Sequence, residues 1–403
     1  MTRLPMTRSL LLALAVTLGA CGPPDSSASP SDAPSGVIEG AAAPVVTANA
    51  VAWVEGDGDA RRLVVLPDGA EVSVEVARGQ ISAHGQAGPR LAPGPDGTLY
   101  VAFVEERAVE GRRFPASDLK LARSVDGGRT WAAPVAVHPD PGFPTGHTFH
   151  DLAVGPDGAV YVSWLDGTAK DRYRIEHAAE ADEARGAHGH HGAPDEPGTD
   201  LAVARSTDGG RTFSAPVVVA KGTCECCRTA LAVADDGVLY AAWRHVFPGT
   251  ERDLALARST DGGATWSEPT RVHEDGWAIE ACPHAGGALA VAADGAVTVA
   301  WPTGADGRSG TWRATSTDGG ATFGAPEPLL TNAPLGQVAA ARDGRGRLWL
   351  AWEDPRSTDV FVHRPGAPDT VRVAGAAPAL TGTADGWRLA WATEGGARVA
   401  SGS

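Results

Sequence analysis

The sequence predicts an all-β fold of repeated four-stranded antiparallel sheets, and three observations predict it. One octapeptide pattern occurs four times: Ser124-Val-Asp126-Gly127-Gly128-Arg-Thr130-Trp131, Ser206-Thr-Asp208-Gly-Gly210-Arg-Thr212-Phe213, Ser259-Thr-Asp261-Gly-Gly263-Ala-Thr265-Trp266 and Ser316-Thr-Asp318-Gly-Gly320-Ala-Thr322-Phe323. Its Ser and Asp side chains can satisfy nearby backbone N–H groups, and its glycines allow positive φ, so each copy is a tight hairpin. Asp-Gly dipeptides recur between apolar runs at Asp96, Asp157, Asp236, Asp294, Asp343 and Asp385, a strong hairpin signal. In the four octapeptide units an aromatic follows that Asp by seven residues, at Phe103, Trp164, Trp243 and Trp301. Gly, Pro and β-branched residues interrupt every helical window.

At the N-terminus, Arg3 and Arg8 precede an apolar run, Leu10 to Leu18, which leads into Leu18-Gly19-Ala20-Cys21. A basic start and a short apolar run make a secretory signal, too short to remain as a spanning helix. The Leu-Gly-Ala-Cys ending resembles the bacterial lipobox, which implies a signal peptide over 1–21, cleavage before Cys21 and a lipid on that cysteine. Residues 22–43, rich in Pro, Ser, Ala and Gly, read as a flexible tether. The expected location is extracytoplasmic, anchored as a lipoprotein in the outer membrane if the source has one, with the lipid as the only membrane contact.

Residues 44–403 carry the repeats. Besides the four octapeptide units, Trp53 marks a unit near the N-terminus, and Trp352 and Trp391 mark two near the C-terminus. Four short strands per unit, repeated with turns, specify a β-propeller. The register favours seven blades, with six as the alternative. The last unit holds only three strands, from about Pro378 to Ala400, and Gly36 to Gly40 can supply its outer strand and protect an edge. With strands named A to D from the axis outward, A–B and C–D turns share the lower face. The B–C loops and the crossovers into each next A strand share the upper face, where function is expected.

The octapeptide is similar to the Asp-box (BNR repeat) of the sialidase superfamily, Ser-x-Asp-x-Gly-x-Thr-Trp/Phe. That resemblance implies a β-propeller, with six blades in true sialidases, and makes Asp126, Asp208, Asp261 and Asp318 structural. Sialidase catalysis implies an arginine clamp for a carboxylate, a tyrosine nucleophile assisted by Glu, and an acid/base residue. The family's Phe/Tyr-Arg-Ile-Pro motif is absent; Pro89-Arg90-Leu91-Ala92 keeps only its arginine. Other candidates are Arg228, Arg244 and Arg356, with Asp166 and Glu353 as acids. Tyr100, Tyr161 and Tyr240 fall at equivalent B-strand positions, which leaves Tyr173 as the loop tyrosine.

The upper-face crossovers also carry Cys224-Glu-Cys226-Cys227-Arg228, Cys282-Pro283-His284, and His147 with His150. Thiolates and imidazoles suit copper or zinc, so a metal site drawn from Cys224, Cys226, Cys227, Cys282, His284 and His150 is expected. A long third-unit loop, roughly 167–199, adds His177, His188, His190 and His191, a lower-affinity arm. Four cysteines beyond Cys21 can instead make two disulfides in an oxidising compartment. The expected function is therefore ligand binding at the upper face through a copper or zinc ion. The alternatives are an exo-sialidase-like glycoside hydrolase acting on a glycan and a disulfide-stapled protein-binding scaffold. Any catalysis would be of the sialidase kind or metal-dependent redox chemistry. The formal net charge of −15 argues against a nucleic-acid partner, and a monomer is expected.

Overall fold

The computed structural model describes residues 37–110, 112, 114–177, 196–366 and 369–403. Among them are seven four-stranded antiparallel sheets. The first strand of each sheet touches the first strand of the next, and the last touches the first, so seven A strands ring one axis. The molecule is a seven-bladed β-propeller; the six-blade alternative falls. Cys21, the expected lipidation site, and His188, His190 and His191 lie outside the described residues.

The aromatic of each B strand is what fills the space between blades. Trp53, Phe103, Trp164, Trp243, Trp301, Trp352 and Trp391 are all buried, each in its own interblade cluster of alternating apolar residues from two facing sheets. A period of two puts these residues on one face of the strand. The seven clusters together replace a single central core.

The four octapeptides form four near-identical turns. In the first, Ser124 Oγ donates to Asp126 Oδ1 and accepts from the Gly128 amide at 2.8 Å. The Thr130 amide and hydroxyl donate to the two Asp126 oxygens at 2.9 and 2.6 Å. Gly128, Gly210, Gly263 and Gly320 take φ between 75° and 92°, in the left-handed region that side chains resist. In the later blades this glycine abuts the B-strand tyrosine of the blade before: Gly210 against Tyr100, Gly263 against Tyr161, Gly320 against Tyr240. Those tyrosines are sockets for lower-face turns.

The ring closes with the N-terminal segment. Ile38–Glu39 pairs with Gly396–Gly402, the C strand of blade 7, through Ile38–Ala397 and Glu39–Gly396, as the missing fourth strand required. Strand A of blade 1, Ala42–Val46, starts two residues before the domain boundary expected at 44. The B–C connection of blade 3 differs from the expected loop, for it begins with a helix, Thr168–Glu176. Asp166 Oδ1 accepts the Thr168 amide at 2.8 Å and so satisfies one orphan donor at its start.

Candidate metal centre

Cys224, Cys226 and Cys227 follow strand D of blade 3, Val217–Thr223, in a tight turn before strand A of blade 4, Ala230–Val233. The Cys224 amide donates to Arg244 O at 3.0 Å, which tucks the turn under the neighbouring blade. All three side chains are buried, at 1%, 4% and 1% exposure, with Phe149 and Val246 packed against them. Their sulfurs form a triangle with sides of 3.8, 3.4 and 4.0 Å. No pair is at bonding distance. Four ligands at about 2.3 Å around zinc would hold sulfurs about 3.8 Å apart, so the triangle has the size of one face of a tetrahedral site.

Charge is not shared evenly among the sulfurs. The Cys226 and Cys227 thiols donate toward Cys224, and Arg252 Nη1 lies 3.2 Å from its sulfur; together these hold Cys224 well below the usual thiol range. Donating to Cys224 pushes Cys226 up, and burial pushes Cys227 up to about 12. The Ala285 amide donates to Cys227 Sγ at 3.4 Å, as peptide groups do around metal-bound sulfur.

The other predicted ligands are not in the triangle. Cys282 is free and exposed, and His284 is exposed beside it. His284 stands over the thiols at one remove: its ring is 6.2 Å from that of Phe149, which packs on the cysteines, and 5.2 Å from that of His84. His84 is a member of this group that the sequence reading missed. It sits in an irregular segment after blade 1, and nothing in its local pattern marks it.

His150 points away. Phe149 has φ 55° and the A–B pairing of blade 3 shifts register between Thr148 and Asp151. That bulge turns the ring into the blade 2–3 seam, where Nε2 bonds Ala102 O at 3.2 Å. Burial, and then Arg90, push its pKa down to about 3.

The candidate hydrolase residues are dispersed. Arg90 and Arg228 line an axial cavity of about 170 Å³ together with Asp151. Burial, and then Arg228, lower the Arg90 pKa to about 9. Arg244 is buried and spends its donors on the carbonyls of Ala285, Arg252 and Pro302. Arg356 forks onto Asp354 at the rim. Asp166 also accepts the Trp164 indole at 3.1 Å, and Glu353 accepts the Gln337 and Ala377 amides. Tyr173 lies on the helix, its ring 4.1 Å from that of His177. The chain has four tyrosines, and none of them lines the axial cavity.

No family model matches the chain, and no curated protein does. Among solved structures it is similar to the Hadza microbial sialidase Hz136, at 16% identity and a TM-score of 0.53, over 86% of this chain and 74% of that one. It is similar to a Dyadobacter fermentans protein of unknown function, at 18% identity and 0.51, over 78% and 93%. It also resembles the Penicillium chrysogenum alpha-L-arabinanase in complex with arabinobiose, at 14% identity and 0.53, over 80% and 96%. At these identities the likeness is one of fold: the chain has the β-propeller architecture found in sialidases and related proteins.

Proposed function

We propose that this protein is a lipid-anchored, extracytoplasmic propeller that binds a copper or zinc ion on its upper face through Cys224, Cys226 and Cys227. The observation that carries this reading is the buried triangle of sulfurs, 3.4 to 4.0 Å on a side. Three thiolates are a soft ligand set, suited to copper(I) or zinc. Three unpaired cysteines in one buried turn are also an uneconomical way to build a staple, because a disulfide uses two. Arg252 offsets part of the negative charge that three thiolates would bring. The exposed pair His84 and His284 offers a first, weaker landing point above the buried sulfurs.

A glycoside hydrolase reading has the fold neighbours in its favour. Arg90 and Arg228 share the axial cavity, but the engagement of Arg244 and Arg356 elsewhere and the structural duties of Tyr100, Tyr161 and Tyr240 weigh against it.

The test is elemental analysis and a thiol count in denaturant on protein beginning after Cys21, alongside a Cys226→Ser/Cys227→Ser variant. Near-stoichiometric copper or zinc, lost in the variant, is the expected result. Metal-free protein with oxidised cysteines would overturn the proposal in favour of the scaffold. Turnover of a fluorogenic sialoside by metal-free protein would do so in favour of the hydrolase.

A further inference from the structure

A second cluster lies on the upper side of the blade 2–3 seam and shares no ligand with the cysteine site. Asp118 belongs to strand C of blade 2, Ala116–Ser124. His138 follows strand D of the same blade, Val135–Ala136, and His147 opens strand A of blade 3, His147–Val154. The two imidazoles are 3% and 0% exposed and stack with centroids 3.7 Å apart at an interplanar angle of 9°. One ligand atom from each of Asp118, His138 and His147 lies within 4.8 Å of the others.

Proton placement shows what the cluster lacks. His138 Nδ1 is 3.1 Å from Asp140 Oδ1. A carboxylate only accepts, so the ring proton sits on Nδ1 and Nε2 keeps a bare lone pair. That Nε2 is buried with no hydrogen-bond partner and faces Asp118 Oδ1 at 3.6 Å. Asp118 Oδ1 already accepts the Gly142 amide at 3.1 Å, so it too has only lone pairs to offer. His147 Nδ1 lies 3.1 Å from Ser117 O, which leaves its Nε2 as an acceptor; the Thr168 hydroxyl reaches that nitrogen at 3.3 Å, so the orphaned acceptor of the group is His138 Nε2. Two acceptors facing each other inside a protein are unfavourable unless a cation lies between them.

We infer that Asp118, His138 and His147 form a binding site for a divalent ion of the zinc class. Imidazole and carboxylate are its usual ligands, and nitrogen and oxygen on a tetrahedral zinc sit about 3.4 Å apart. The His138–Asp118 separation of 3.6 Å is close to this, and binding would turn the stacked rings so that both Nε2 lone pairs aim at the ion. Asp140 then plays the carboxylate behind a metal-bound histidine, fixing its tautomer and orientation. Because the ligands come from two blades, the ion clips the seam where Ser117 and Gly146 make an isolated bridge. The two sites sort ions by softness, thiolate for the soft one and imidazole with carboxylate for the borderline one.

Cobalt(II) is the probe, because sulfur ligation gives intense near-ultraviolet charge-transfer bands and nitrogen–oxygen ligation gives only weak visible bands. Protein lacking the thiols (Cys224→Ser/Cys226→Ser/Cys227→Ser) is expected to bind one cobalt with visible bands alone, and its thermal transition is expected to rise with added zinc. In the otherwise native chain, Asp118→Asn/His138→Gln is expected to lose that ion and keep any charge-transfer band. Asp140→Asn, which leaves all three ligands in place, is expected to weaken binding about 10–100-fold. If the thiol-free protein, folded by circular dichroism, takes up no cobalt, the inference is overturned. The same holds if Asp118→Asn/His138→Gln leaves the visible bands and the zinc-dependent stabilisation unchanged. Absence of charge transfer in every form would instead remove the cysteine site and leave this one standing.

Discussion

Cys224 is held below the usual thiol range first by the Cys226 and Cys227 thiols and then by Arg252, whose Nη1 lies 3.2 Å from its sulfur. Single side chains decide as much elsewhere. Asp261 accepts the Thr265 amide and hydroxyl and the Ser259 hydroxyl; these bonds, the Thr265 hydroxyl foremost, hold its pKa near 2. An unfolded aspartate titrates at about 3.9, so between these values the unfolded chain binds more protons than the folded one. The bonds therefore stabilise fully above about pH 4, and the contribution fades as pH falls toward 2. Asp261→Asn is expected to unfold at a lower temperature than wild type at pH 7. Thermal melts should show that gap narrowing from pH 4 to pH 2; a constant gap would contradict the assignment. The convergence of Cys224, Cys226 and Cys227 was legible because topology and sequence proximity both force it. The direction of His150 was not, because one bulged residue reverses a strand's alternation without leaving a mark in composition. The pairing of Asp118 with His138 and His147 was equally hidden, for it joins three separate elements.

At the scale of the element, the blades were legible because each unit repeats a local solution: an Asp-Gly turn, a buried aromatic, a hydrogen-bonded hairpin. The docking of the last three hairpins on the previous blade's tyrosine was not legible, since sequence spacing says nothing of which neighbour a turn meets. That docking makes Gly320 sensitive. A methyl there would sit 2.4 Å from Leu256 Cδ2 at φ 85°, so Gly320→Ala is expected to cost about 1–3 kcal/mol from backbone strain alone, with the clash added. Trp243, fully buried between blades 3 and 4, is expected to cost about 3–5 kcal/mol on replacement by Ala. Urea unfolding checks both. Near-zero changes would mean that the blades pack differently from the arrangement described.

At the scale of the molecule, the last blade is completed by the start of the chain, beside the apolar cluster that joins blades 1 and 7. Two residues, Ile38 and Glu39, complete blade 7, helped by the Gly40 amide on Gly395 O at 2.9 Å. Removing the chain through Glu39 is expected to cost about 2 kcal/mol, at about 1 kcal/mol for each hydrogen bond lost. It would also bare the edge of strand C and invite pairing with a second copy. A lower denaturation midpoint, with a larger species at high concentration in size-exclusion chromatography, is the expected outcome; an unchanged monomer would show that the last blade is stable with three strands. The same latch gives the ring a mechanical polarity. A pull on the leading end of the chain loads Ile38 and Glu39 first, together with the blade 1–7 cluster that Ile38 packs against. Blades 1 and 7 then remain joined by their shared apolar cluster and by Arg388, which reaches Thr47 O, Ala48 O and Asp68. The buried sulfurs lie almost diametrically across from that joint, in the part of the ring that tension reaches last.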